Sequence, residues 1–180
     1  PLLTRKQIGR RLLSTSREML WRINTLAFVY RMEKSPKILT RINDELLAVS
    51  AFSDWNPSHF LDVAEMSMAV AVGLDWTAGD LSEESYHTIQ EALIEKGLKT
   101  DDGSTRIVNG TNNWNQVCNG GMIAAALVVA EVEPELAVAA IGGALDAIPN
   151  ALSHYGHDGV YPEGSTYWGY GTMFTAMTSS

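Results

Sequence analysis

Apolar residues in this chain recur at steps of three and four almost from end to end, and no segment of any length alternates apolar with polar residues. That pattern puts one apolar stripe on an α-helix and gives a half-buried strand nothing to bury, so it restricts the fold to helices packed on helices. Residues 7–32 carry Ile8, Leu12, Leu13, Met19, Leu20, Ile23, Leu26 and Val29 at such steps and read as one long helix or two abutting ones, with a break near Ser14-Thr15-Ser16. Ser35-Pro36 opens a second helix, Ile38, Ile42, Leu46 and Val49 on one face, ending near Phe52. Asn56-Pro57-Ser58 starts a third, whose stripe Phe60, Val63, Ala64, Met68, Ala71 and Val72 runs to Gly73. Ser82 offers an N-cap for a fourth over residues 86–96, closed by Gly97. A turn-rich loop over residues 101–110 precedes a helix from about Asn113 to Val132. Pro134 restarts the helical pattern as far as about Ile148, before Pro149, and a loop over residues 154–164 leads to a last helix from about Ser165. Short loops between helices fit antiparallel hairpins, the unit of a bundle, a solenoid or an α/α toroid, and no sequence repeat selects the solenoid.

The 180 residues suffice for one domain with a sizeable core. A net charge of −8 argues against a nucleic-acid or anionic-membrane surface, which requires clustered Lys and Arg. The basic residues concentrate before residue 42, where solvated helix faces are a commoner explanation than a patch for an anionic ligand. The longest uninterrupted apolar run, residues 122–130, falls short of the ~20 residues of a membrane span, which predicts a soluble chain without membrane insertion. Cys118 is the only cysteine, so no intrachain disulfide forms, and one turn into an apolar helix it reads as a small buried hydrophobe. No metal-ligand spacing and no glycine-rich phosphate loop occurs, so neither metal nor cofactor is expected. The start at Pro1 and the end on Thr178-Ser179-Ser180 read as those of a piece of a longer protein.

Two stretches concentrate polar and aromatic side chains. The first, NNWNQVCNGG (residues 112–121), crowds five amides and a Trp at the head of a long apolar helix. Amides bind polar ligands without ionising, although Asn112 or Asn113 also suits a plain N-cap. The second, SHYGHDGVYPEGSTYWGYG (residues 153–171), sets Tyr155, Tyr161, Tyr167, Trp168 and Tyr170 among glycines. Such rings stack on sugars, or plug the end of a helical core.

Together with DWNPSHFLDVAEMSMAVAVGLDW, the stretches NNWNQVCNGGMIAAAL and DGVYPEGSTYWGYGT resemble the catalytic α/α toroid domain of heparinase II/III-like polysaccharide lyases, over roughly residues 50–175. The last two carry the specific part of the likeness. The resemblance implies that residues 1–180 form a single helical domain, part of an incomplete toroid, followed in the whole protein by a C-terminal β-rich domain. It also implies a periplasmic or secreted enzyme acting on an acidic polysaccharide or oligosaccharide. Lyases of this kind cleave uronic-acid-containing chains by β-elimination. In that chemistry the proton on C5 leaves only if the neighbouring carboxylate is neutralised, which amides or a His in a dry pocket achieve. Asn113 matches the neutralising position, with Gln116 and Asn115 as neighbouring alternatives, and Tyr167 matches the Tyr that takes the C5 proton and returns one to the glycosidic oxygen. Trp114, Gln116, His59, Trp168 and Tyr170 are then expected along the sugar cleft. One departure stands out. Relatives carry a catalytic His in the segment resembling Asn113-Trp114, where this chain has none, and His154 and His157 lie at no motif position. Two other readings apply: a glycoside hydrolase using two carboxyls among Asp158, Glu163 and Asp62, or a carbohydrate-binding or structural helical domain without catalysis.

Overall fold

The apolar steps become seven α-helices in a computed structural model that describes residues 1–100 and 109–179. They are Leu13–Glu33 (α1), Pro36–Ser50 (α2), Leu61–Trp76 (α3), Glu83–Leu93 (α4), Asn113–Val129 (α5), Pro134–Leu152 (α6) and Ser165–Ser179 (α7). A 3₁₀ turn, Pro57–His59, leads into α3, and a π turn, Ile94–Leu98, extends α4. Among the described residues no strand forms; the single antiparallel bridge joins Ile8 to Arg11. The chain is all-α, as its periodicity predicts.

Helix α3 is the centre. It packs against α1 on one side and α5 on the other, α5 carries α6 and α7, and α2 with α4 covers the edge of α1 and α3. A helix with neighbours all round has no solvent face, so its residues need not form a stripe. The expected stripe in α3 is corrected accordingly: every residue from Leu61 to Ala71 is buried, and the helix passes Gly73 to reach Trp76. Backbones approach closely where α5 crosses α3. A Cβ on Gly121 would collide with the carbonyl of Ala64. Helix α6 meets α5 through Ala137, Ala144, Ala147 and Ala151, and leaves Val138, Leu145 and Leu152 exposed. By length and composition alone it is also apolar enough to cross a membrane, a property that a search for uninterrupted apolar runs does not detect.

Four expected boundaries change. Residues 7–12 are not helical: Gly9 adopts a left-handed φ of +60°, Ile8 and Arg11 exchange backbone hydrogen bonds of 2.8 and 3.1 Å, and α1 begins at Leu13. Ser14-Thr15-Ser16 is its first turn, not a break. Gly97 does not close α4 but lies inside the π turn, where Ser67 and Trp55 crowd the space a side chain would need. Helix α5 stops at Val129, short of Val132. Pro149 lies within α6, whose helical φ it shares. The missing N–H removes one bond in the last turn, while the Ser153 N–H still bonds Pro149 O at 2.9 Å. The expected loop over residues 101–110 lies outside the described residues except for Asn109 and Gly110.

Candidate functional site

The floor of the site is a buried carboxyl. Asp62, in the first turn of α3, accepts from the Leu12 N–H at 2.5 Å, Asn56 Nδ2 at 2.6 Å and His59 Nδ1 at 2.6 Å. Asn56 takes a left-handed φ of 62° and Pro57 starts the 3₁₀ turn, which together deliver His59 three residues ahead of Asp62. Because a carboxylate only accepts, His59 Nδ1 carries a proton directed at Asp62. Among the described residues Nε2 has no hydrogen-bond partner, and the ring packs edge-on against Trp114 with centroids 4.9 Å apart.

The amide run proves to be mostly structural. Asn112 caps α5, its Oδ1 accepting from the Trp114 N–H at 3.2 Å. Asn115 Nδ2 donates to Gly110 O and Ala147 O, both at 2.8 Å, tying α5 to α6. Gln116 Nε2 donates to the Tyr155 hydroxyl at 3.0 Å and Thr175 Oγ1 at 2.9 Å, against Gly171, which has no side chain to intervene. Asn113 is buried and committed to Glu163. Its backbone N–H donates to Oε2 at 2.7 Å, and its Nδ2 to Oε1 and Oε2 at 3.1 and 3.0 Å. The amide cannot be turned over, since that would set oxygen against carboxylate. Among the described residues, Asn113 Oδ1 is left buried without a partner. Tyr161 completes the clasp by donating to Glu163 Oε2 at 3.0 Å; burial and that carboxylate both hold its hydroxyl in the neutral form, well above the ordinary tyrosine range. Its ring stacks on Tyr155 at 4.7 Å.

Above this floor lies a cleft of about 430 Å³ that gathers His59, Asn113, Trp114, Tyr167 and Tyr170. Arg11, Arg17 and Thr166 line it too, and among the described residues no carboxyl group does. Tyr170 donates to the buried Glu65, over which Arg17 Nε sits at 3.0 Å, the guanidinium lying 5.0 Å above the Tyr170 ring. Burial, then the Glu65 charge, pushes the Tyr170 hydroxyl far above its usual range, and burial raises Glu65. Tyr170 is therefore a fixed donor. Tyr167 has no hydrogen-bond partner among the described residues and is half exposed, with its hydroxyl unengaged.

No family model matches the chain, and no curated protein matches it. What the site does must be read from its own groups.

Five of the seven residues expected at the site thus share one cleft, and two do not. Gln116 is packed between α5 and the Tyr155 loop, and Trp168, one residue from Tyr167 but turned by the helix, lines a separate shallow hollow with Asp158 and Tyr161. His154 bonds the carbonyl of Asn150 on the surface, and Cys118 is buried. A larger apolar groove of about 610 Å³, between Phe28, Trp76 and Leu127, contains none of the expected residues. Sequence reading passed over Arg11 and Arg17, which looked like any basic residues of an amphipathic segment. It also assigned Asp62 and Glu163 only to hydrolysis. The His59–Asp62 spacing of three was the signal available for their pairing.

Proposed function

We propose that this chain is the helical part of a polysaccharide lyase, a toroid of antiparallel hairpins that cleaves uronic-acid-containing glycans by β-elimination. One observation supports the reading above others. His59, Asn113-Trp114 and Tyr167 with Tyr170, drawn from three distant stretches, line one cleft whose charged lining groups, among the described residues, are the guanidiniums of Arg11 and Arg17. A cationic, aromatic cleft in a chain of net charge −8 suits an acidic sugar.

In this reading the C5–H bond breaks as its proton passes to a base, the electron pair forms the C4=C5 bond, and the C4–O bond breaks as the departing oxygen takes a proton. Tyr167 is the residue proposed to take the first proton and return the second, its hydroxyl being unengaged on the cleft wall. His59 Nε2 supplies a second proton-accepting atom, with Asp62 fixing the tautomer. Trp114 packs on His59 and presents a ring to the sugar.

Hydrolysis fits less well. It needs two carboxyls flanking the bond, whereas Asp62 is buried beneath His59 and Glu163 is clasped by Asn113 and Tyr161. The test is ultraviolet absorbance of the unsaturated uronate when the protein meets a panel of uronate polymers, with Tyr167→Phe alongside. Tyr167→Phe is expected to abolish the rise while oligosaccharide binding persists. Near-wild-type activity in that variant removes Tyr167 from the chemistry.

A further inference from the structure

Elimination gathers negative charge on the substrate carboxylate, so some group must hold that carboxylate with donors or positive charge. Resting on the lyase reading, we infer that Arg11 is this group. Asn113, the residue favoured by motif resemblance, has the wrong polarity to offer. Its Nδ2 already donates to both oxygens of Glu163, and the atom left without a partner among the described residues is the buried Oδ1, an acceptor that would repel a carboxylate. His59 is almost wholly buried and spends its Nδ1 proton on Asp62. Arg17 lines the cleft, but its charge is answered by Glu65 at 3.0 Å and its plane lies over Tyr170.

Arg11 differs on each count. Its guanidinium has no partner among the described residues, while the backbone around it is fixed. The Arg11 N–H and carbonyl are bonded to Ile8, Arg10 O accepts from Asn56 Nδ2 at 2.8 Å, and the Leu12 N–H donates to Asp62 at 2.5 Å. The same buried carboxyl that orients His59 therefore anchors the turn that holds Arg11 at the cleft. An uncompensated cation on a pre-set backbone is a receptor for an anion, and the planar fork of Arg matches a carboxylate with two parallel hydrogen bonds.

The test is calorimetric titration of the whole chain with uronate oligosaccharides and with the same oligosaccharides after reduction of their carboxyls to alcohols. Wild type is expected to bind an acidic form at least tenfold more tightly than its reduced counterpart. Arg11→Gln is expected to erase that preference, with its fold certified by an unfolding midpoint and circular dichroism spectrum matching wild type. Arg11→Lys should recover part of the preference, and Arg10→Gln, one residue away and outside the cleft, should keep all of it. Arg11→Gln with the preference intact overturns the assignment and leaves the lyase reading standing. Wild type without any preference for the acidic form removes both.

Discussion

Glu163 determines what Asn113 presents to a ligand, because one carboxylate takes both the side-chain amide and the first N–H of α5. A negative group at a helix N-terminus also meets the favourable end of the helix dipole. Glu163→Ala is expected to destabilise the protein by about 1 kcal/mol, the usual effect of losing a helix cap, readable as a lower midpoint in urea. Asp62 plays the matching part for His59. Asp62→Asn should scramble the imidazole tautomer, visible in the ¹⁵N shifts of His59, and cut elimination by a factor on the order of 10² or more. Unchanged shifts would show that the tautomer is set otherwise. At this scale the sequence disclosed residue types better than their partners. The motif around Asn113 marks the head of α5, but its bond to Glu163 spans fifty positions and depends on how the 153–164 loop folds back. Arg11 reads as one of many basic residues near the N-terminus for a related reason: what singles it out is the lack of a guanidinium partner among the described residues, a property only the fold defines.

Helices whose ends are set by local chemistry were legible, and those set by tertiary contacts were not. Pro36 at the first position of α2 and Ser82 capping α4 through the Ser85 N–H at 3.2 Å follow from side chains within a few residues. The start of α1 follows instead from Gly9 and from Asp62, fifty residues away. The α3–α5 crossing gives a direct prediction. Gly121→Ala forces a methyl against the Ala64 carbonyl, and overpacking of this kind costs about 1–3 kcal/mol, measurable by thermal unfolding. The N-terminal arm carries a pH dependence of known sign. Although burial opposes ionisation of Asp54, hydrogen bonds from the Arg5 guanidinium at 2.6 Å, the Asn56 N–H at 2.7 Å and Ser53 hold its carboxyl below the ordinary value of 3.8. Its stabilising effect is therefore present above that value and lost as the pH falls through the lower folded one. Below pH 3.8 the unfolding temperature of wild type should fall more steeply than that of Asp54→Asn; parallel curves would show that the pair contributes nothing.

Across the whole molecule, α3 and α5 form a shared spine that brings four segments to one cleft: the arm with Arg11, the turn with His59, and the heads of α5 and α7. The all-α class was readable from period alone, since no part of the chain alternates. The convergence was not, because which helix ends meet depends on packing through Gly121 and the alanine face of α6, and small residues leave a weak periodic signal. The central claim is that this convergence performs elimination on an acidic glycan. Its most direct test is to incubate the protein with a panel of uronate polymers and follow unsaturated-uronate absorbance and new reducing ends together. The account predicts that both rise with at least one polymer and that Tyr167→Phe suppresses both. Reducing ends without absorbance would identify hydrolysis, and bound glycan yielding neither signal would identify a binding domain; either result contradicts the account.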